Sequence, residues 1–318
     1  MIAFGPVPSR RLGQSLGINN IPPKICSYSC VYCQLGRSLH MQIEREEFYN
    51  SQDLYKEVEQ KVRNATTQNE PIDYLAFVPD GEPTLEKNLG RQIKLLKGLG
   101  IHIAVITNSS LLWNEQVRKA LCLADWVSVK IDAITHDVWR RLDRPYGTLR
   151  LEKILQGISE FSQIFSGEFV TETMLVQGVN ETPEVLHGIA DFVAQLNPNK
   201  SYLSIPTRPP AEKWVQPAAE DTLNMAYHFF REKGIDVEYL LGYEGNAFAF
   251  TGNVEEDVLS ITAVHPMRED AVQAFVTKAR ANWSVVEKLL REKQLMTMDY
   301  NGDTFYMRTL KPVSDKTG

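Results

Sequence analysis

The 318-residue sequence predicts an α/β protein built on a parallel sheet, with a small unit of helices and a hairpin behind it. Two observations lead there. Short β-rich apolar runs alternate with amphipathic helical stretches as far as Leu241, the pattern of repeated βαβ units. Past Gly252 the alternation stops, and three helical stretches precede two β-prone runs joined by an Asn-Gly turn.

In chain order, residues 1–23 are rich in Pro and Gly around Ser9, Arg10 and Arg11, and Ser15 to Asn19 reads as a short first strand. A helix over Ser51 to Thr67 places Leu54, Val58 and Val62 on one face. Strands are then expected at Tyr74 to Val78, His102 to Thr107, Trp126 to Ile131, Phe169 to Val176, Ser201 to Ile205 and Ile235 to Leu241. Between them fall helices over Leu85 to Leu99, Asn114 to Leu123, a stretch ending near Phe165, Pro183 to Leu196 and Ala218 to Lys233. Gly242 to Gly245 breaks the series. In the tail, helices cover about Val254 to Thr262, Met267 to Ala279 and Ser284 to Glu292, and a hairpin turns at Asn301 and Gly302.

Composition narrows the class. An apolar fraction of 43% and a charged fraction of 23% are those of ordinary globular chains. A formal charge of −6 argues against wholesale coating of nucleic acid but leaves room for a local basic patch. Met1 to Pro8 lacks the layout of a signal peptide, and no apolar run is long enough to span a bilayer, so no membrane partner is expected. Four cysteines, three of them within eight residues, fit a reducing compartment, and the expected location is cytoplasmic.

Those three are Cys26, Cys30 and Cys33, spaced Cys-x-x-x-Cys-x-x-Cys in the stretch Lys24 to Gln34. Thiolates are soft ligands, and three packed this closely suit an iron–sulfur cluster or zinc better than a disulfide. Cys122 lies far downstream and reads as a buried helix cysteine. A four-iron cluster held by three cysteines leaves one iron open, the mark of a catalytic rather than a structural site. The alternatives are a zinc knuckle with a distant fourth ligand such as His40, or three unconnected thiols.

With Tyr32 just before the third cysteine, this spacing resembles the motif of the radical SAM superfamily. The resemblance implies a [4Fe–4S] cluster on Cys26, Cys30 and Cys33 whose open iron is chelated by S-adenosylmethionine. An electron from the reduced cluster, supplied by a donor such as flavodoxin or ferredoxin, splits the sulfonium. The resulting 5′-deoxyadenosyl radical takes hydrogen from a substrate. It also implies a partial (β/α)6 TIM-like barrel, here residues 1–245. More narrowly, Gly5 to Ile18, Pro22 to Cys26 and Val31 to Arg37 resemble radical SAM proteins related to the tRNA wyosine synthases. Those synthases use a second cluster with three further cysteines, which this chain lacks, so a relative with another substrate is the better reading.

Ligands of parallel β/α folds gather beyond the carboxyl ends of strands. After the strand ending at Val78 comes Asp80-Gly81-Glu82, which the resemblance assigns to the amino group of S-adenosylmethionine. A buried ammonium needs oxygen acceptors; the alternative is a turn capped by Thr84 or Asp80. Thr107 and Asn108 suit ribose hydroxyls or an N-cap. Ser128, Lys130 and Asp132 share one face of a strand by alternation. Lys130 and Asp132 thus either face a polar cavity as catalytic groups or form a structural ion pair. Arg144, near Arg140 and Arg141, offers a guanidinium to the cofactor carboxylate. By the resemblance, Gly178 and Asn180 lie in the loop against the adenine. Arg208, in the rigid turn Pro206 to Pro210 after the sixth strand, is a candidate substrate contact.

Three helices and a hairpin in the tail, residues 253–318, read as a winged-helix-like domain. From Lys278 onward it has eight Lys or Arg against five Asp or Glu. Three functions are consistent with all this. The first is a radical SAM enzyme acting on tRNA or another nucleic acid, gripped by the tail. The second is one acting on a small molecule or on a protein docked through the tail, as in glycyl-radical activation. The third is a cluster-sensing DNA-binding regulator, which would need no Gly81-Glu82 turn.

Overall fold

The apolar runs over residues 74–77, 102–107 and 126–130 are buried on both faces for most of their length, the condition under which strands pair in parallel with helices outside. The computed structural model describes residues 2–242 and 245–309; residues 243–244 of the expected break and residues 310–318 of the tail lie outside the described residues. β1 (Ala3–Ser9) and β2 (Gly13–Ile18) form an antiparallel hairpin, and the short β3 (Ile25–Cys26) and β4 (His40–Met41) pair with each other. Six crossovers follow. They run through α1 (Ser51–Thr67) to β5 (Tyr74–Phe77), α2 (Leu89–Lys97) to β6 (His102–Thr107), and α3 (Glu115–Leu121) to β7 (Trp126–Lys130). α4 (His136–Leu142) and α5 (Leu151–Ile164) lead to β8 (Glu168–Met174), α6 (Pro183–Leu196) to β9 (Lys200–Ser204), and α7 (Glu220–Glu232) to β10 (Val237–Leu240). The tail contains α8 (Val254–Thr262), β11 (Met267–Arg268), α9 (Glu269–Lys278), α10 (Ser284–Arg291), β12 (Leu295–Tyr300) and β13 (Asp303–Arg308).

The sheet runs β1-β2-β5-β6-β7-β8-β9-β10, parallel from β2 onward. It curls into a half-barrel. Leu12, from the β1–β2 turn, belongs to one buried cluster with Ala76, Ala104, Trp126, Val170 and Tyr202, one residue from each of β5 to β9. That contact is available only inside a concave sheet, and Leu12 plugs its floor. The edge strands β1 and β10 do not pair; Arg10 instead donates to the carbonyls of Leu241 and Gly242, just past β10, at 2.5 and 3.1 Å.

β1 is the element that the sequence concealed. Pro6 and Pro8 argue against a central strand, and β1 is an edge strand with irregular register between Phe4 and Val7, where missing N–H groups cost least. α2 begins at Leu89 rather than Leu85, because residues 83–85 form a 3₁₀ turn capped by the Glu82 side chain. Asn50, Asn114 and Thr182 cap α1, α3 and α6 through their side chains. Among the described residues no helix is long and apolar enough to cross a membrane.

The tail shares its core with the barrel. Phe4 and Val7 of β1 are buried with Phe248, Val258, Ile261, Val272 and Phe275. Beside this core Lys61 of α1 reaches Asp257 of α8 and the Thr251 hydroxyl, each at 2.7 Å, and Asp257 is 1% exposed. Removing one partner of such a buried pair strands the other's charge. Asp257→Ala is expected to cost about 3–5 kcal/mol in chemical denaturation, and Lys61→Met with Asp257→Leu to recover most of it. Equal stability of Asp257→Ala and the parent chain would show that the pair does not join the two parts.

Candidate active site

The cysteine loop is clamped from both sides. On one side Lys24 N donates to Asp80 O at 2.8 Å, Glu82 N donates to Ile25 O at 3.3 Å, and Ile25 bridges Gly81. Gly81 sits at φ +151°, and a Cβ there would fall 1.9 Å from the Ile25 carbonyl oxygen, so only glycine allows the approach. On the other side Val31 N donates to Leu142 O at 2.9 Å, Tyr146 N to Ser27 O at 2.9 Å, and Trp139 Nε1 to the Tyr28 hydroxyl at 3.0 Å. The sulfurs have polar neighbours. Asn108 Nδ2 lies 3.5 Å from Cys26 Sγ, and Cys30 Sγ lies 3.5 Å from Asp143 Oδ1.

Cys26, Cys30 and Cys33 all line one cavity of about 370 Å³. Asp80, Gly81, Glu82, Thr107 and Asn108 form the wall beyond β5 and β6, and Lys130 and Glu172 face it from β7 and β8. Val264 and His265 of the tail complete it. His265 Nε2 meets Arg208 at 2.8 Å, and Gln34, next to Cys33, contacts Arg208 at 3.2 Å and the Val264 carbonyl at 3.2 Å. The tail is therefore part of the cavity wall as well as a neighbour of it.

Glu82 is 1% exposed and well supplied with donors. Its Oε1 accepts from Thr84 N, the Thr84 hydroxyl and the Thr107 hydroxyl at 3.1, 2.5 and 2.6 Å, and its Oε2 from Asn108 N at 2.8 Å. Thr107 and Asn108 thus tie Glu82 and the Cys26 loop together, and the N-cap of the following helix is Asn114. Lys130 Nζ is 3.2 Å from Glu172 and 3.7 Å from Asp132, and sits 4.8 Å from the centre of the Tyr32 ring. Lys130 is ion-paired and also faces the cavity. Burial lowers its pKa, but Asp132 and Glu172 outweigh this and hold it well above the ordinary lysine value. For Glu172, burial pushes upward, and the charges of Lys130 and Arg11 pull further down, to about 2.

Other expected residues lie apart. Asp132 is buried behind the cavity, accepting from Met174 N at 2.7 Å and from the Tyr32 hydroxyl. Ser128 is fully buried, between Trp126 and Lys130 along β7, and does not line the cavity. Arg144 pairs with Glu212 outside it, alongside Arg37. Gly178 is exposed. Asn180 braces the loop after β8 by donating to Asp132 O and Met174 O at 3.0 and 2.8 Å, and neither residue lines the cavity. His40 and Cys122 are also outside it. Residues that the sequence did not single out for the site, Lys24, Arg11, Glu172 and Asp143, contribute to it or brace it. Of these Lys24 and Arg11 carried a signal, Lys24 through its place two residues before Cys26 and Arg11 through the opening motif from Gly5 to Ile18.

The family model described as "Radical SAM superfamily" matches residues 20–192. The chain belongs to the radical SAM superfamily. The UPF0026 protein MJ1312 of Methanocaldococcus jannaschii is 46% identical over 98% of this chain and 97% of its own length. Among solved structures, TYW1 with a lysine-pyruvate adduct bound has a TM-score of 0.53 at 16% identity, over 68% of this chain and 73% of that one. Streptococcus suis SuiB bound to S-adenosylmethionine has a TM-score of 0.51 at 11% identity, over 70% of this chain and 49% of that one. At these identities the two structures show a shared radical SAM fold. With the superfamily match they make this chain a radical SAM enzyme.

The superfamily implies a [4Fe–4S] cluster and S-adenosylmethionine, and the residues present suit both. The donors are soft sulfur, three in number, fronting one shared space. Burial, with Glu82 adding to it, pushes the Cys26 thiol up to about 12, and a bound metal cation would favour its thiolate form. Gly81→Ala is expected to displace Ile25 and with it Cys26, so that the reconstituted variant holds well under half the iron of the parent. Iron content and the cluster's visible absorbance check this, and a fully loaded variant would show that the clamp tolerates a methyl group.

Proposed function

We propose that this enzyme cleaves S-adenosylmethionine reductively at a cluster held by Cys26, Cys30 and Cys33, and takes hydrogen from a base of RNA, tRNA in the first instance. The chemistry rests on one observation: the three thiols and the Gly81-Glu82 turn front the same cavity beyond the carboxyl ends of parallel strands. Cluster and cofactor together supply the hydrogen-abstracting radical. The chain's own residues position and shield it. Asn108 and Asp143 sit against two of the sulfurs, Val264 and His265 cover the cavity from the tail, and Lys130, ion-paired with Glu172, adds a polar group to the wall.

The RNA reading is supported by the exposed Arg291 and Lys293 at the end of α10, with Lys288 nearby and partly neutralised by Glu255 at 2.7 Å. A protein substrate or partner is the second reading, supported by Met296 and Met298, which are exposed on β12 at the edge of the tail's sheet.

Replacing Cys26, Cys30 or Cys33 by Ala is expected to abolish formation of 5′-deoxyadenosine by the anaerobically reconstituted enzyme, while Cys122→Ala keeps it. Zinc in place of iron after anaerobic isolation would refute the chemistry. Neutralising Lys288, Arg291 and Lys293 together is expected to weaken tRNA binding and flatten its dependence on salt, by about 0.7–0.9 for each phosphate that the variant leaves unneutralised. Unchanged binding and slope would leave the protein reading standing.

A further inference from the structure

The cysteine loop has a second side. Its inner side fronts the cavity, while Val31, between Cys30 and Cys33, is buried against Leu142, Val176, Val179 and Val215. There Val31 N donates to Leu142 O at 2.9 Å, and Val31 O accepts from Glu212 N at 3.1 Å. The Glu212 carboxylate accepts from Arg37 at 2.7 and 2.9 Å and also pairs with Arg144. One acid thus holds two guanidiniums, and the Arg37 side chain still keeps 67% of its surface open. Two residues past Arg37 stands Leu39, 72% exposed, and two past Glu212 stands Trp214, 47% exposed. Lys213, between Glu212 and Trp214, is exposed, as are Arg140 and Arg141 in the last turn of α4, with Asp137 at its opposite end. None of Arg37, Leu39, Arg144, Glu212, Lys213 and Trp214 lines the cavity.

A tryptophan and a leucine left in water beside arginines have the make-up of an interface centre, where aromatic residues and Arg are enriched. Their position indicates the partner. The reductive reading needs one electron from outside for each S-adenosylmethionine cleaved, and it fills the cavity side of the loop with cofactor and substrate. The outer side, across Val31, is the approach that this leaves open. We propose that Arg37, Leu39, Lys213 and Trp214 form the docking surface for an acidic one-electron carrier protein. The carrier gives up one electron and the cluster on Cys26, Cys30 and Cys33 gains it. Its onward transfer breaks one carbon–sulfur bond of the sulfonium, leaving methionine and the 5′-deoxyadenosyl radical. Charge supports the assignment: the cations outnumber the acids here on a chain of formal charge −6, so this face attracts an acidic partner that the whole molecule repels. Such a contrast sets orientation and speeds encounter. The surface is also small, as transient electron-transfer contacts are. The proposal rests on the radical SAM reading above and adds the place at which its reductant arrives.

The test uses the full-length protein, reconstituted anaerobically, and the variants Leu39→Ser, Lys213→Glu and Trp214→Ala. Binding of a purified flavodoxin and of a purified ferredoxin is titrated at low and high salt. Formation of 5′-deoxyadenosine is driven in parallel by the reduced carrier or by dithionite, a small reductant that needs no docking surface. The parent is expected to bind one of the two carriers, and more weakly as salt rises. Each variant should lose about tenfold in affinity for that carrier, and Lys213→Glu should also flatten the salt dependence. Iron content and the dithionite-driven rate should stay those of the parent. A parent that binds neither carrier, or variants with unchanged affinity, overturns the proposal. Equal losses with both reductants also overturn it and give these residues to the folding of the cysteine loop. Variants that lose tRNA binding and keep carrier binding give the surface to the substrate instead. A parent that forms no 5′-deoxyadenosine with dithionite refutes the radical SAM chemistry itself, a result separate from any behaviour of the carriers.

Discussion

The approach of Gly81 to the Ile25 carbonyl is the contact on which the site depends. It joins the loop bearing the cysteines to the turn after β5, at a distance that no side chain at position 81 would permit. From that contact the other constraints spread. Glu82 is placed to gather Thr84, Thr107 and Asn108, and Asn108 is placed beside Cys26. The Cys26 end of the loop thus hangs from the central strands of the sheet by a chain of hydrogen bonds. A site mounted in this way inherits the rigidity of the core beneath it.

Charge organises the cavity below that loop. Arg11, Glu172, Lys130 and Asp132 alternate in sign from the β1–β2 turn to the strand beneath Tyr32. Each is largely withdrawn from water, and each has at least one opposite neighbour, which is how charges survive burial. Because they are paired among themselves, they present a polar surface without demanding a particular ligand. Lys24 and Asp80, nearer the cysteines, differ in having unfilled hydrogen-bonding capacity.

Periodicity made most of the fold legible. The parallel strands and their helices follow from alternating apolar runs, and Asn114 and Thr182 mark the ends where their helices begin. What escaped was set by tertiary contact. β1 was hidden by its prolines, which only an edge position excuses. Alternation put Ser128 beside Lys130 and Asp132 but carried no measure of depth, and Ser128 lies below the cavity. Arg144 and Lys24 look equally free in sequence; Glu212, nearly seventy positions from Arg144, takes up the first, and nothing among the described residues fully takes up the second. The cysteine spacing was legible because ligand geometry is local, whereas the residues supporting it come from four strands.

Burial of Phe4 and Val7 within the core of the tail bears on how the protein is made. These two side chains wait for partners such as Val258 and Phe275, roughly 250 positions further along. At about 5–20 residues per second, a ribosome needs on the order of ten to fifty seconds to cover that distance. Throughout that interval the sides of Phe4 and Val7 that the tail covers stand open, and the floor of the half-barrel hangs on the same hairpin. Iron delivered before Val264 and His265 emerge would meet a cavity still missing one wall.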